Sequence, residues 1–366
     1  MVAHDEFGPE KVIEMWDART GMYGFTVIDN TARGPAKGGI RMTLTVNKHE
    51  VAKLARAMTW KTAIADLPFG GGKSGIVANP KGMPAGKKDA IIAAFGRALR
   101  DIAPKLYMAA PDMNTGEHEM GVFARANGNM KSITGKPKAM GGLPHEYGST
   151  GYGVYVSTLV AAEFAGIDIN GATVAIEGFG NVGTFAMKFL QGEGAKIVAV
   201  SDSRGSAVLK SGLDYKKLIE VKKEAGSVIN YRGAQEKTCT DLFELPVDIL
   251  IPAAVPDSIN GENVEKVKAK VIVEGANIPA RPEIEQRLHE RGILVVPDIV
   301  ANAGGVISSY AEHRGMNKGE MMRLVEMKQR QNTKVVLQHA SSGDMKPRDA
   351  AMEIAVARVR EAMAKR

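Results

Sequence analysis

Cysteine is almost absent from this chain: of 366 residues only Cys239 carries a thiol, so no internal disulfide can form and a reducing, cytoplasmic setting is expected. Long apolar runs are missing too. Gly, Pro or a charged residue interrupts every hydrophobic segment before the roughly 20 residues that a membrane helix requires. Met1 to Lys11 holds no apolar stretch, which argues against a secretory signal. Nor is there a block of one charge sign. The net charge of +7 comes from 48 Lys and Arg set among 41 Asp and Glu, as in Glu220, Lys222, Lys223 and Glu224. Such interleaving reads as solvated helix faces rather than a nucleic-acid track. His118-Glu119 lacks a second His at the zinc-protease spacing and there is no thiolate cluster, so no metal is expected. What remains is a chain 44% hydrophobic, free of repeats and long enough for two domains.

The second half alternates short β-branched runs with helical patterns. Strands are expected at Thr173 to Glu177, Lys196 to Ser201, Asp248 to Ile251, Val271 to Glu274 and Ile293 to Val296. Helices are expected between them at Asn181 to Gln191, Tyr215 to Glu224, Glu262 to Ala269 and Pro282 to Arg291. Strand, helix, strand in repetition gives an α/β fold with a doubly wound parallel sheet. The first 145 residues are less regular. Tyr23, Phe25 and Val27 alternate like a half-buried strand, and Asn47 with Glu50 suggests a capping box before a helix bearing Val51, Leu54 and Met58. Gly128 to Gly148, rich in Gly, Lys and Pro, is the expected hinge, and Met352, Val356, Val359 and Met363 mark a final amphipathic helix.

Gly178-Phe179-Gly180-Asn181-Val182-Gly183 fits G-x-G-x-x-G directly after the first of these strands and at the opening of a helix. The first glycine suits the tight turn, the second lets a pyrophosphate approach the backbone, and the third lets helix and strand pack closely. Helix amides would then hold the phosphate. Asp202 follows about 20 residues later at the end of the next strand, where a carboxylate accepts from a ribose 2′-hydroxyl. Ser203 and Arg204 would instead suit a 2′-phosphate, so NAD and NADP both stay open.

Pro68-Phe69-Gly70-Gly71-Gly72-Lys73-Ser74-Gly75 invites a P-loop reading, but Leu67 stands where that motif needs its first glycine. Three glycines before a lysine also bring the backbone near a small ligand and leave the amine in a poorly hydrated space. Desolvation there lowers a lysine pKa and suits it to proton transfer. Lys61, Lys37 in Gly34 to Arg41, and Asp112 in a Pro-bounded turn are further polar candidates.

Gly34 to Arg41, Met58-Thr-Trp-Lys61, Pro68 to Gly75, Ala110-Pro-Asp112, Gly178 to Gly183, Val273-Glu-Gly-Ala-Asn277 and Asn302-Ala-Gly-Gly-Val306 resemble, in order, the Glu/Leu/Phe/Val dehydrogenase family. The resemblance implies an α/β substrate and oligomerisation domain, residues 1–145 plus 330–366, and a Rossmann-like NAD(P)-binding domain, 146–329, with a cleft between. It implies a homo-oligomer, hexamer or octamer. Lys73 matches the family's catalytic lysine, Asp112 its proton-transferring aspartate and Lys61 its clamp for the substrate α-carboxylate. Thr150 and Asn277 match positions at the nicotinamide end of the coenzyme, and Asn302 joins Gly178, Gly180, Asn181, Val182, Gly183, Asp202 and Ser203 as coenzyme-binding candidates.

The same resemblance bears on the substrate, an amino acid exchanged for a 2-oxo acid and ammonium. Lys37 and Ser309 occupy positions that bind a γ-carboxylate in members acting on glutamate and are apolar in those acting on leucine. Against this, Glu146 stands four residues before Thr150, where glutamate enzymes carry an arginine. Either Glu146 opposes Lys37, which favours a neutral or basic amino acid, or it turns to solvent and His145 or water supplies the donor. A non-catalytic dinucleotide-binding protein is the remaining alternative.

Overall fold

The computed structural model describes residues 2–366. The chain forms two compact units. The first is built on a five-stranded sheet of β1 (Lys11–Asp17), β2 (Met22–Asn30), β3 (Ala36–Thr43), β4 (Gly70–Val77) and β5 (Tyr107–Pro111), in the order β1-β2-β4-β3-β5. β1, β2 and β4 run antiparallel in turn, whereas β3 lies parallel to both β4 and β5. Helices α1 (Lys48–Ile64), α2 (Ala85–Ala98) and α3 (Glu117–Asn127) complete the sandwich. Val27 packs with Val46, Val51 and Ala55, while its neighbour Ile28 joins Ile40, Ile76, Phe95 and Tyr107. β2 is therefore buried on both faces, because a strand between two helical layers has no solvent side. The expected half-buried strand is corrected in that sense. Asn47 does cap α1, accepting from the amides of His49 and Glu50 at 3.0 and 3.1 Å. Glu50 does not return the bond; its carboxylate takes Arg41 Nη1 at 2.6 Å.

The second unit holds β6 (Thr173–Glu177), β7 (Lys196–Asp202), β8 (Gly205–Val208), β9 (Gln235–Lys237), β10 (Ile249–Pro252), β11 (Val271–Val273) and β12 (Leu294–Val296). Their order is β12-β11-β10-β6-β7-β8-β9, parallel from β12 to β7 and antiparallel beyond. Strand order reverses between β6 and β10, the place where a doubly wound sheet binds ligands. Helices α4 (Ser149–Phe164) and α5 (Asn181–Gly192) pack together beside it. The helix expected over 262–269 is only a short turn, Val264–Lys266. Asn263 accepts from the Asn260 amide at 2.9 Å and donates to the Ser258 carbonyl at 2.8 Å, so side-chain bonds replace helical ones. Val264 and Val267, both buried, gave the false helical spacing.

The division into units departs from one boundary at 330. Val306–Met321 and Ile354–Arg366 join the first unit, and Met322–Glu353 the second. Tyr310 packs edge-on against Phe69, with ring centroids 5.7 Å apart. Gln329 donates to the Ser157 hydroxyl at 2.7 Å and the Ala301 carbonyl at 3.1 Å. Arg358 donates to the carbonyls of Ala63 and Ile64, both at 2.9 Å, which returns the end of the final helix to the first unit. Among the described residues no helix is long and apolar enough to cross a membrane.

Candidate active site

In the first unit, adjacent strands present the expected charged residues side by side. β4 carries Lys73, β3 carries Lys37 and Arg41, and Asp112 follows β5. Lys73 Nζ lies 3.1 Å from Asp112 Oδ2, and Arg41 Nε donates to the same oxygen at 2.9 Å. Lys73 is buried, and that burial, opposed by Asp112 and reinforced by Arg41, lowers its pKa below the usual lysine value. Burial alone would raise Asp112, but Lys73 and Arg41 outweigh it and hold the carboxyl below its ordinary range. The result is a pre-formed acid–base pair with a permanent cation beside it.

The glycines before Lys73 serve a purpose other than ligand approach. A Cβ on Gly70 would lie 1.8 Å from the Asn30 carbonyl oxygen, and one on Gly71 would lie 2.1 Å from Thr59 Oγ1. They let β4 press against its neighbours and α1, which is why the strand can bury its lysine. Because Gly70–Val77 is a strand, it cannot cradle phosphate as a P-loop does.

Lys37 is 2% exposed, and its amine donates to Thr134 Oγ1 at 2.5 Å and the Ala109 carbonyl at 3.5 Å. Burial first, with Lys73 and Lys136 adding to it against Glu312, lowers its pKa to about 7. Ser309 is half-buried on the helix Gly304–His313, whose Glu312 accepts from the amides of Lys136 and Leu143 at 3.3 and 3.0 Å. Lys61 is half-buried in the last turn of α1. Glu146 is exposed on the short turn His145–Tyr147, and the side chain of His145 lies outside the described residues.

In the second unit, the three glycines after β6 differ in what a Cβ would meet. At Gly178, with φ of 96°, it would come 2.8 Å from Ala254 Cβ, and at Gly183 it would come 1.9 Å from the Gly178 oxygen. At Gly180 it would meet nothing within 4 Å. The outer two are needed for turn and packing, and the middle one opens space at the N-terminus of α5. That surface fits a pyrophosphate. Gly275 would place a Cβ 3.1 Å from Val182, and Gly305 would place one 2.9 Å from Thr150 Oγ1. Asn302 Nδ2 donates to Asn277 Oδ1 at 3.0 Å and the Ala276 carbonyl at 3.1 Å. The turn, Thr150, Asn277 and Asn302 thus form one connected rim.

Asp202 departs from expectation. Its Oδ1 accepts from the Arg204 amide and Ser227 Oγ, both at 2.9 Å, and its Oδ2 from the Val228 amide at 2.9 Å and from Lys222 Nζ. Both oxygens are engaged within the protein, and Ser203 and Arg204 are the exposed residues of that turn. Sequence reasoning missed Arg41, Thr134 and Lys222. Arg41 closes the same Gly-rich stretch as Lys37, four residues on, which was the one available signal.

A dinucleotide cradle together with a buried lysine–carboxylate pair defines a nicotinamide-dependent dehydrogenase. The model of the Glutamate/Leucine/Phenylalanine/Valine dehydrogenase family matches residues 141–366, and that of the family's dimerisation domain matches residues 9–128. The chain is 43% identical over 353 residues to a glutamate dehydrogenase of Aeropyrum pernix, covering 91% of this chain and 84% of that one. It is 46% identical over 297 residues to a glutamate dehydrogenase of Thermotoga maritima, covering 79% and 71%. The crystal structure of glutamate dehydrogenase from Peptoniphilus asaccharolyticus superposes with a TM-score of 0.85 at 31% identity, covering 97% of this chain and 91% of the other. The chain belongs to the Glu/Leu/Phe/Val dehydrogenase family and is an NAD(P)-dependent amino-acid dehydrogenase.

Proposed function

We propose that this dehydrogenase interconverts L-glutamate with 2-oxoglutarate and ammonium. The observation that carries the reading is the buried Lys73 paired with Asp112 at 3.1 Å, with Lys37 and Ser309 in the same unit to receive a γ-carboxylate. The relatives' names favour the same substrate. Gly178 to Gly183, Thr150, Asn277 and Asn302 would hold the coenzyme, which would supply an acceptor for hydride from the substrate Cα. Lys61 holds the α-carboxylate. Asp112 takes a proton from the substrate amine, and Lys73, readily deprotonated because it is desolvated, accepts one from the water that attacks the iminium carbon. Asp112 returns its proton to the carbinolamine nitrogen, the C–N bond breaks as the carbonyl forms, the nitrogen takes the hydroxyl proton and departs as ammonium, and Lys73 releases the remaining proton to solvent, leaving the 2-oxo acid. A non-catalytic role is disfavoured by a lysine–aspartate pair kept buried at the desolvation cost this implies.

A second reading, a neutral amino acid, is favoured by Lys37 itself. Its amine is already bonded to Thr134, and with a pKa near 7 it is only partly charged at neutral pH. The deciding experiment is ammonium-dependent oxidation of NADH and NADPH across a panel of 2-oxo acids. 2-Oxoglutarate as the best substrate supports glutamate; preference for an apolar acid supports the second reading; no turnover with any acid overturns catalysis.

A homo-oligomer, of six or eight subunits by resemblance, would form through the matched dimerisation domain, whose edge strand β1 exposes Val12 and Trp16. A cytoplasmic setting suits the single thiol.

A further inference from the structure

We infer that Arg348, at the start of the final helix Pro347–Ala364, is a positioning residue for the coenzyme loop 275–278, acting through Asp298. The inference rests on the proposed assignment of Asn277 to the coenzyme. Arg348 Nη2 reaches Glu285 Oε1 at 2.6 Å, Asp298 Oδ1 at 2.7 Å and Glu274 Oε2 at 3.2 Å, and its Nε donates to Glu285 Oε2 at 2.7 Å. Glu274 and Glu285 are 0% and 2% exposed, and Asp298 7%. One guanidinium therefore gathers three carboxyls in a dry space, where each would otherwise repel the others.

The link to the loop is direct. Asp298 Oδ2 accepts from the Ile278 amide at 3.0 Å, and the Asp298 amide donates back to Glu274 Oε2 at 2.9 Å. Ile278 has φ of 50°, a left-handed conformation in which a β-branched side chain crowds its own backbone. Such a residue persists only when its surroundings hold it there. The surroundings here are Asp298 on the Ile278 amide and the Asp257 amide, which donates to the Ile278 carbonyl at 2.9 Å. Asn302, bonded to Ala276 and Asn277, holds the other side of the loop. Asn277 thus presents its side chain from a backbone that Asp298 fixes, and Asp298 is aimed by Arg348. Burial, and then the charges of Glu285 and Asp298, raise Glu274 well above the usual carboxyl pKa.

The test uses full-length Arg348→Met and Asp298→Ala proteins, with wild type and Asn277→Ala alongside. Folding is followed by thermal melting, the loop by amide hydrogen exchange over residues 275–279, and function by separate KM values for coenzyme, ammonium and 2-oxo acid. We expect Arg348→Met to raise the coenzyme KM tenfold or more, to leave the other two KM values within twofold, and to remove protection of the Ile278 amide. Asp298→Ala, which leaves Arg348 paired with Glu274 and Glu285, should reproduce those effects if Arg348→Met does not fold. If either folded variant melts earlier yet keeps wild-type coenzyme KM and loop exchange, Arg348 only anchors its helix and the inference fails. An Asn277→Ala protein with unchanged coenzyme KM would instead overturn the coenzyme assignment, while loop exchange in Arg348→Met would still decide the positioning claim.

Discussion

The two units prepare for their ligands by opposite means. In the first, Lys37, Lys73, Arg41 and Asp112 stand among β3, β4 and the end of β5, already bonded to one another or to neighbouring groups. In the second, the surface proposed for the coenzyme is made by side chains left out at Gly178, Gly180 and Gly183, and Arg348 pairs with Asp298, which accepts from the Ile278 amide. Proton transfer needs ionisable groups whose pKa values are set before substrate arrives, which burial and neighbouring charges accomplish. Phosphate binding needs backbone amides and room. Substitutions in the first unit should therefore change chemistry, and those in the second should change coenzyme affinity.

The largest expected effect is loss of the acid–base pair. Lys73→Ala and Asp112→Asn should each reduce turnover by about 10² to 10⁴, the usual worth of general acid–base catalysis, with coenzyme affinity retained. A variant keeping more than about a tenth of wild-type turnover removes that residue from the mechanism. Next comes Lys37→Leu. If it faces a γ-carboxylate, removing it should cost roughly 3 to 5 kcal/mol, several hundred-fold or more in kcat/KM for 2-oxoglutarate, and far less for 2-oxoisocaproate. An unaltered ranking of substrates would sink the glutamate assignment and leave the dehydrogenase intact.

Gly180→Ala should raise the coenzyme KM about tenfold, ~1.4 kcal/mol, with an unchanged melting temperature, since its Cβ would meet no protein atom. Gly183→Ala should instead lower the melting temperature, because its Cβ would meet the Gly178 oxygen at 1.9 Å. Equal melting shifts for the two would break the distinction between room for ligand and room for packing.

The smallest effect sharpens the electrostatics. Arg41 lowers the pKa of both Lys73 and Asp112. Arg41→Met should therefore move both upward, so the alkaline rise of kcat/KM for deamination, which follows loss of the Lys73 proton, shifts to higher pH. A profile that stays in place or moves to lower pH would show that Arg41 does not set the pair.

Much of this arrangement was legible in the chain. The parallel strands read as β-branched runs, since a strand covered on both faces repeats one kind of residue, and the turn Gly178 to Gly183 carries its reason in its spacing. The antiparallel pair β8 and β9 was not legible, being four and three residues long with little apolar pattern. The passage of 306–353 between units was hidden as well, because the continuous helix Lys318–Ser342 shows no change of composition where it leaves one unit for the other.

By itself, then, the sequence determined the α/β class and the glycine turn after β6, and it singled out Lys73 and Asp112 as candidates, because spacing and residue type are local properties. Only the tertiary structure decided that Asp202 is already engaged by Lys222, Ser227 and Val228, that Arg41 shares an oxygen of Asp112 with Lys73, and that Arg348 stands behind the loop of Asn277. A charge acts through the distance and burial of its neighbours. Those neighbours come from distant segments, Arg41 lying 71 residues from Asp112 and Arg348 lying 74 from Glu274, which no local pattern records.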